Sequence, residues 1–235
     1  MKYIALDFDG TLTDENHIIN LDALWCATMI QRMGIDVFMV SGRTAYEMYF
    51  LAKHSGLKTI VVGENGGVVI ENSPSNIIKL ANIKNPLKAF ELISKKINIE
   101  ELITIPRLTE VVLKRTFDLN DAINIINNEN INVDLTDSKY SYHITEKGIN
   151  KAKGFNYITN KYNINLDDCI AIGDSNTDIP LFDICGYSIT MNHAESNVKE
   201  KADFITKNNR AKGAIEAFKH VADKFLKKNI DDVEN

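Results

Sequence analysis

The segment Tyr3-Ile-Ala-Leu-Asp-Phe-Asp-Gly-Thr-Leu-Thr-Asp14 runs an apolar strand straight into two carboxylates one residue apart. Side chains two positions apart on a strand share a face, so the spacing predicts Asp7 and Asp9 side by side at the strand's carboxyl end. Gly10 permits a sharp turn there, and Thr11 can hydrogen-bond the loop it closes. Neighbouring acids repel, which is costly unless a cation or a reaction uses them. Asp-x-Asp-Gly is also a plain turn sequence. A calcium loop is excluded, because the spaced oxygen ligands and closing Glu of such a loop do not follow. In open α/β sheets, ligands bind at the carboxyl ends of the strands.

The pattern after this strand is alternation. Asn20 is placed to cap a helix whose apolar side includes Leu24, Met29 and Met33 and which ends at Gly34. Ile35–Val40 reads as a buried strand leading into Ser41-Gly42-Arg43-Thr44 and a helix to about Ser55, and Lys58–Val62 as a third strand. This βαβαβ order predicts an α/β fold, a doubly wound parallel sheet with a Rossmann-like core. Glu64-Asn-Gly-Gly67 is a hairpin signal, with Val68–Ile70 continuing as an antiparallel partner. Residues 82–86 read as a linker into a helix (86–97), a strand (109–115), a helix (118–128) and strands near 131–136 and 140–145. Consecutive strands predict a small inserted α+β cap. The parallel pattern resumes with a helix (150–163), a strand (169–173), a helix from 178, a strand (186–190) and helices near 195–201 and 210–227. The expected organisation is a core formed by two separate segments, 1–81 and 149–235, with the cap at 82–148 between them. Lys227–Asn235 reads as a polar, frayed end.

At 235 residues the chain is long enough for one large core plus a small second one, and its net charge of −5 argues against broad nucleic-acid or membrane binding. An acidic protein that handles an anion needs local cations, either a metal or placed lysines. Cys26, Cys169 and Cys185 lie in apolar surroundings without CxxC spacing, which reads as buried thiols in a reducing compartment. With no leader pattern at the start and no apolar run of spanning length, the expected location is the cytoplasm.

Further polar stations stand at other strand ends. The Ser41 hydroxyl and the backbone N–H groups after it suit a phosphate oxygen, although serine is also a common helix cap. Arg43 is a candidate anion contact. Gly173-Asp174-Ser-Asn-Thr-Asp178 repeats the opening logic, with Asp174 at a strand end and Asp178 as an ordinary helix N-cap or a second acid of the site. Asp7, Asp9 and Asp174 converging would make a hard oxygen site of the kind that favours Mg²⁺. Lys151 opens a helix, where its charge opposes the macrodipole unless an anion compensates it; Lys153 competes for the same role. His143 reads as structural or as cap surface, and His17, His54, His193 and His220 have no metal-like spacing.

Asp7-x-Asp9-Gly-Thr, Ser41-Gly-Arg, Lys151 and Gly-Asp174-x-x-x-Asp178, in that order, resemble the motifs of the haloacid dehalogenase superfamily of phosphohydrolases, and the resemblance covers nearly the whole chain. The insertion lies where type II caps sit, and in size and cap position the chain is most like the archaeal phosphoglycolate phosphatases. It departs from the family pattern at Thr177, where Asn is common, at Ala152, where Gly is common, and at Met191-Asn-His-Ala194. The resemblance implies a Mg²⁺-dependent phosphatase acting on a small phosphorylated metabolite, with 2-phosphoglycolate favoured. A phosphomutase like the phosphomannomutases, or a broad sugar-phosphate phosphatase, is the alternative. It implies Asp7 as the nucleophile that forms an aspartyl-phosphate and Asp9 as general acid and base. Ser41, Gly42 and Lys151 would bind substrate. Asp7, the Asp9 backbone carbonyl, Asp174 and Asp178 would surround the metal. The cap would act as a lid, with Arg107, Lys114, Arg115 and His143 as candidate contacts to a substrate carboxylate. A monomer or homodimer is expected.

Overall fold

The computed structural model of the protein describes residues 1–102 and 105–230. Residues 103–104, inside the expected cap, and 231–235, at the expected frayed end, lie outside the described residues.

Strand β1 (Tyr3–Leu6) leads through the Asp7–Asp14 loop to helix α1 (Leu21–Arg32), where the Asn20 side chain accepts from the Ala23 N–H as the N-cap. Strand β2 (Asp36–Met39) is followed by α2 (Ala45–Ser55) and β3 (Ile60–Gly63). The antiparallel strands β4 (Val68–Glu71) and β5 (Ile77–Lys79) come next. Helix α3 (Lys84–Ser94), strand β6 (Val111–Leu113), helix α4 (Leu119–Asn128) and strands β7 (Val133–Asp137) and β8 (Tyr142–Glu146) form the middle of the chain. The remainder is α5 (Lys151–Tyr162), β9 (Cys169–Ile172), α6 (Ile179–Ile184), β10 (Tyr187–Thr190), α7 (Ser196–Lys199), β11 (Phe204–Ile205) and α8 (Arg210–Val221).

The central sheet is parallel throughout, in the order β11-β10-β9-β1-β2. Its strands read as continuous apolar runs because both faces are covered. Ile4 and Leu6 of β1, Val37 and Met39 of β2, and Ile170 and Ile172 of β9 face one core, shared with α1, α2 and α8. Ala5, Phe38, Cys169 and Ala171 face the other, shared with α5 and α6. The two cores together make the doubly wound architecture. The strand order reverses around β1, which sets its carboxyl end at the crevice where such sheets bind ligands.

The structure corrects several local expectations. β3 pairs antiparallel with β4, as the hairpin signal predicts, but its expected place in the parallel sheet reduces to a single bridge, Val40 to Val62. The short strands β5 and β11 carry too few residues to show a period. Helix α3 begins at Lys84, inside the expected linker, and α8 ends at Val221 in a π-helical turn, Ala222–Leu226. In the described part of the expected frayed end, 227–229 are exposed, but Ile230 is fully buried in the first core.

The middle segment has its own sheet, in the order β6-β8-β7, and its own apolar core. On β8, Tyr142 and Ile144 pack inward against α3 and α4, so the alternation turns His143 and Thr145 to the opposite face. That face roofs the carboxyl end of β1. Among the described residues, no helix is long and apolar enough to cross a membrane.

Candidate active site

Four loops meet at the carboxyl edge of the parallel sheet: 7–14 after β1, 41–44 after β2, 64–67 after β3 and 173–178 after β9. Asp7 is buried at the first of them. Asp9 does not sit beside it on one face, because β1 ends at Leu6 and the chain then turns, with the Leu12 N–H donating to the Phe8 carbonyl. Strand alternation ends with the strand. The Asp9 carboxylate instead accepts two hydrogen bonds of 2.7 Å from Nε and Nη2 of Arg43.

The carboxylates of Asp7, Asp174 and Asp178, all buried, have oxygens within 4.8 Å of one another. Gly10 permits this approach: its φ of +77° suits glycine, and a Cβ there would collide with the Asp174 carboxylate. Lys151 Nζ donates to Asp7 Oδ1 and Asp178 Oδ1 at 2.6 Å each. One ammonium among three carboxylates leaves negative charge in surplus. Burial, then the charge of Asp178, holds the Asp7 carboxyl well above its ordinary value of 3.8, with Lys151 acting in the opposite direction. Burial works against the Lys151 ammonium, yet Asp178 and Asp7 outweigh it and keep the lysine charged.

The two oxygens of Asp178 are committed. Oδ1 takes the lysine, while Oδ2 accepts from the Asp174 and Ser175 N–H groups and the Ser175 hydroxyl. It therefore shapes the loop rather than capping α6, to which it makes no side-chain bond. Among the described residues, Asp7 Oδ2 and Asp174 Oδ1 have only Thr11 Oγ1 as a hydrogen-bond partner, at 3.5 and 3.4 Å. A hard divalent cation fits this donor set, which offers carboxylate oxygens, surplus negative charge and two weakly engaged oxygens. Asp174 Oδ2 lies 3.0 Å from His193 Nε2, and His193 Nδ1 accepts from the Arg210 N–H, so His193 donates to the aspartate. The Asp9 side chain lies outside the three-acid group.

Ser41 is buried, and it is not the cap of α2; Thr44 fills that position in a capping box with Glu47. Ser41, Gly42 and Lys151 line one cavity of about 260 Å³ together with Asp7, Asp9, Arg43, His17, Asn65, Arg107, Tyr140 and His143. Lys153 is exposed and outside that lining. Of the four candidate cap contacts, Arg107 and His143 line the cavity. Lys114 and Arg115 do not, and each is paired with a carboxylate, Glu100 and Asp137 respectively.

The Glu64-Asn65 turn is more than the hairpin its sequence suggests. Both residues adopt φ of +51°, a costly backbone for non-glycine residues, and both are buried. The Glu64 carboxylate accepts from the Leu108 and Thr109 N–H groups and the Thr109 hydroxyl. Asn65 Nδ2 donates to Glu110 Oε2 at 3.0 Å, and His143 Nδ1 lies 3.1 Å from the same oxygen. Arg107 Nη1 bonds the Gly42 carbonyl and Glu110 Oε1. The roof is thus tied to the sheet edge by buried polar contacts. The usable signal was position: an acid and an amide in a turn directly after a strand, at the edge where Asp7 and Ser41 already lay.

A family profile described as haloacid dehalogenase-like hydrolase matches residues 4–105 and 80–218. A phosphoglycolate phosphatase from Nitrosopumilus maritimus is 40% identical over 94% of this chain and 96% of its own length. One from Archaeoglobus fulgidus is 32% identical over 92% of this chain and 95% of its own. A crystal structure of a Thermoplasma acidophilum protein superposes with a TM-score of 0.84 at 27% identity, covering 94% of this chain and 97% of that one.

Proposed function

The chain belongs to the haloacid dehalogenase-like hydrolases, and from that premise we propose that it is a Mg²⁺-dependent phosphatase for a small phosphorylated acid, 2-phosphoglycolate above others. One observation carries the reading: a buried carboxylate, Asp7, shares a small cavity with Asp9, Ser41 and a lysine that is bonded to it. A carboxylate cannot approach a phosphate dianion without cations beside it, and Lys151 supplies one.

Asp7 attacks phosphorus, and the bond to the ester oxygen breaks as the aspartyl-phosphate forms. Asp9 enters the first step protonated and gives that proton to the departing alkoxide, releasing glycolate; the carboxylate so formed takes a proton from the water that attacks phosphorus and frees Asp7. Ser41, the backbone at Gly42 and Lys151 hold the phosphoryl oxygens through both steps. Asp7 and Asp174 would hold Mg²⁺, with the Asp9 carbonyl beside it and Asp178 orienting bound water. When bound, the ion would supply positive charge against the phosphoryl oxygens. Residues 82–148 act as the lid that excludes water and contacts the leaving group. The substrate reading is supported by the phosphoglycolate phosphatases of 40% and 32% identity. A mutase must recapture a released intermediate, and the pairing of Lys114 and Arg115 outside the cavity gives it no help.

The test is phosphate release with Mg²⁺ across phosphoglycolate, sugar phosphates and nucleotides, using Asp7→Asn as the control. Preference for phosphoglycolate and loss of activity in a folded Asp7→Asn protein are expected. Equal release from many sugar phosphates would discard the substrate. Activity in Asp7→Asn within tenfold of the parent would remove Asp7 as nucleophile.

A further inference from the structure

Three strong cations line the cavity, and Lys151 and Arg43 are each bonded to carboxylates of the site. Lys151 is shared by Asp7 and Asp178. Arg43 spends Nε and Nη2 on Asp9, with Nη1 at 3.6 Å from Glu47. Arg107 differs. It uses Nη1 alone, and its Nε and Nη2 have no partner among the described residues. The Nε–Nη2 edge of a guanidinium presents two parallel N–H groups that match a carboxylate. Arg43 shows the same edge in use, with both nitrogens 2.7 Å from the Asp9 carboxylate.

Arg107 is also held rigidly. Its guanidinium bridges the Gly42 carbonyl and Glu110, and the neighbouring backbone at Leu108 and Thr109 is clamped by Glu64. Its side chain is only 14% exposed, and the Glu110 carboxylate is fully buried. A buried ion pair is a costly way to stabilise a fold, whereas it serves well to fix a donor in one orientation. Burial alone would raise the Glu110 carboxyl, but His143, Arg107 and Asn65 outweigh it and hold it below its ordinary value, so the anchor stays charged.

In 2-phosphoglycolate the carboxylate is separated from the ester oxygen by one methylene, so its reader must stand beside the phosphoryl site. Arg107, bonded to the carbonyl next to Ser41, stands there. We propose that Arg107 is the residue that recognises the substrate's carboxylate, positioned for it by Glu110 and the Gly42 carbonyl. This rests on the phosphatase reading above and specifies which phosphate esters the site accepts: those with a carboxylate on the carbon next to the ester oxygen.

The experiment compares kcat/KM for 2-phosphoglycolate and 2-hydroxyethyl phosphate, which lacks the carboxylate, in the parent, in Arg107→Gln and in Arg107→Gln with Glu110→Gln. The double variant removes the buried pair together and keeps the test usable if the single one unfolds; circular dichroism reports on folding. The ratio between the two esters is expected to favour phosphoglycolate in the parent and to fall roughly 10- to 100-fold in the folded variants, as for a lost charge-assisted bidentate contact. An unchanged ratio in a folded variant would overturn the proposal. Equal losses on the two esters would also overturn it, assigning Arg107 to the phosphoryl group. If the parent cleaves both esters equally well, the phosphatase reading stands and the carboxylate reader falls. No phosphate release from either would remove both.

Discussion

Arg43 grips the Asp9 carboxylate with two parallel hydrogen bonds of 2.7 Å, linking the loop after β2 to the loop after β1. Two residues apart, Asp7 and Asp9 thereby acquire different surroundings: Asp7 has a lysine and two acids, and Asp9 a guanidinium at the cavity wall. Arg43→Leu releases Asp9, and in the proposed mechanism kcat falls by about tenfold or more. The loss is expected to be greater for an alkyl ester such as phosphoglycolate than for p-nitrophenyl phosphate, whose leaving group needs no proton. Identical losses on the two would give Arg43 a purely structural role.

Surplus negative charge in the Asp7, Asp174 and Asp178 group predicts that a divalent cation both activates and stabilises the protein. Activity should vanish in EDTA and return with Mg²⁺. The folded state should gain about 2.7 kcal/mol at a hundredfold excess of the ion over its Kd. Thermal unfolding with and without Mg²⁺ reads the second effect directly, and Asp174→Asn should abolish it. Full activity in chelator would end the metal assignment.

Gly10→Ala should damage the site without touching a charged group. A left-handed alanine costs about 1–2 kcal/mol, and its methyl would displace the Asp174 carboxylate. Lower Tm together with weaker Mg²⁺ binding by calorimetry is expected. Binding equal to that of the parent would mean that Asp174 can be displaced without consequence.

Glu110 ties acid stability to the contact between roof and sheet edge. Its carboxyl lies below the ordinary 4.5 in the folded state despite burial, through His143, Arg107 and Asn65. A depressed acid stabilises the fold fully above its unfolded value, and that contribution is lost as pH falls through the folded one. Glu110→Gln should therefore cost about 3 kcal/mol or more at pH 7, the penalty for breaking a buried pair. The gap to the parent should narrow as pH drops below 4.5. Urea titrations at several pH values measure it; a gap independent of pH would show that Glu110 contributes through shape and not charge.

Much of this protein was legible in its sequence because the informative signals are local. The apolar runs of β1, β2 and β9, buried on both faces, announce parallel strands without reference to partners. Asn20 and Asp118 each cap a helix with their own side chain, accepting from the Ala23 and Asn120 N–H groups. Short β5 and β11 carried no period to read, and β3 left the parallel sheet for the hairpin with β4 that the Glu64–Gly67 turn signals.

By itself the sequence determined the direction of the central sheet and the polar groups that stand at its strand ends, since strand period, helix caps and turn glycines act within a few residues. Tertiary structure decided which groups meet. It turned Asp9 away from Asp7 onto Arg43, set Lys151 between Asp7 and Asp178, and placed His193 on Asp174. It also made the Glu64-Asn65 turn the clamp that holds Arg107 and Glu110 over the cavity. Those contacts join residues from 19 to 144 positions apart. Over such separations no local rule specifies distance or charge, and only the packed fold brings a carboxylate within reach of its cation.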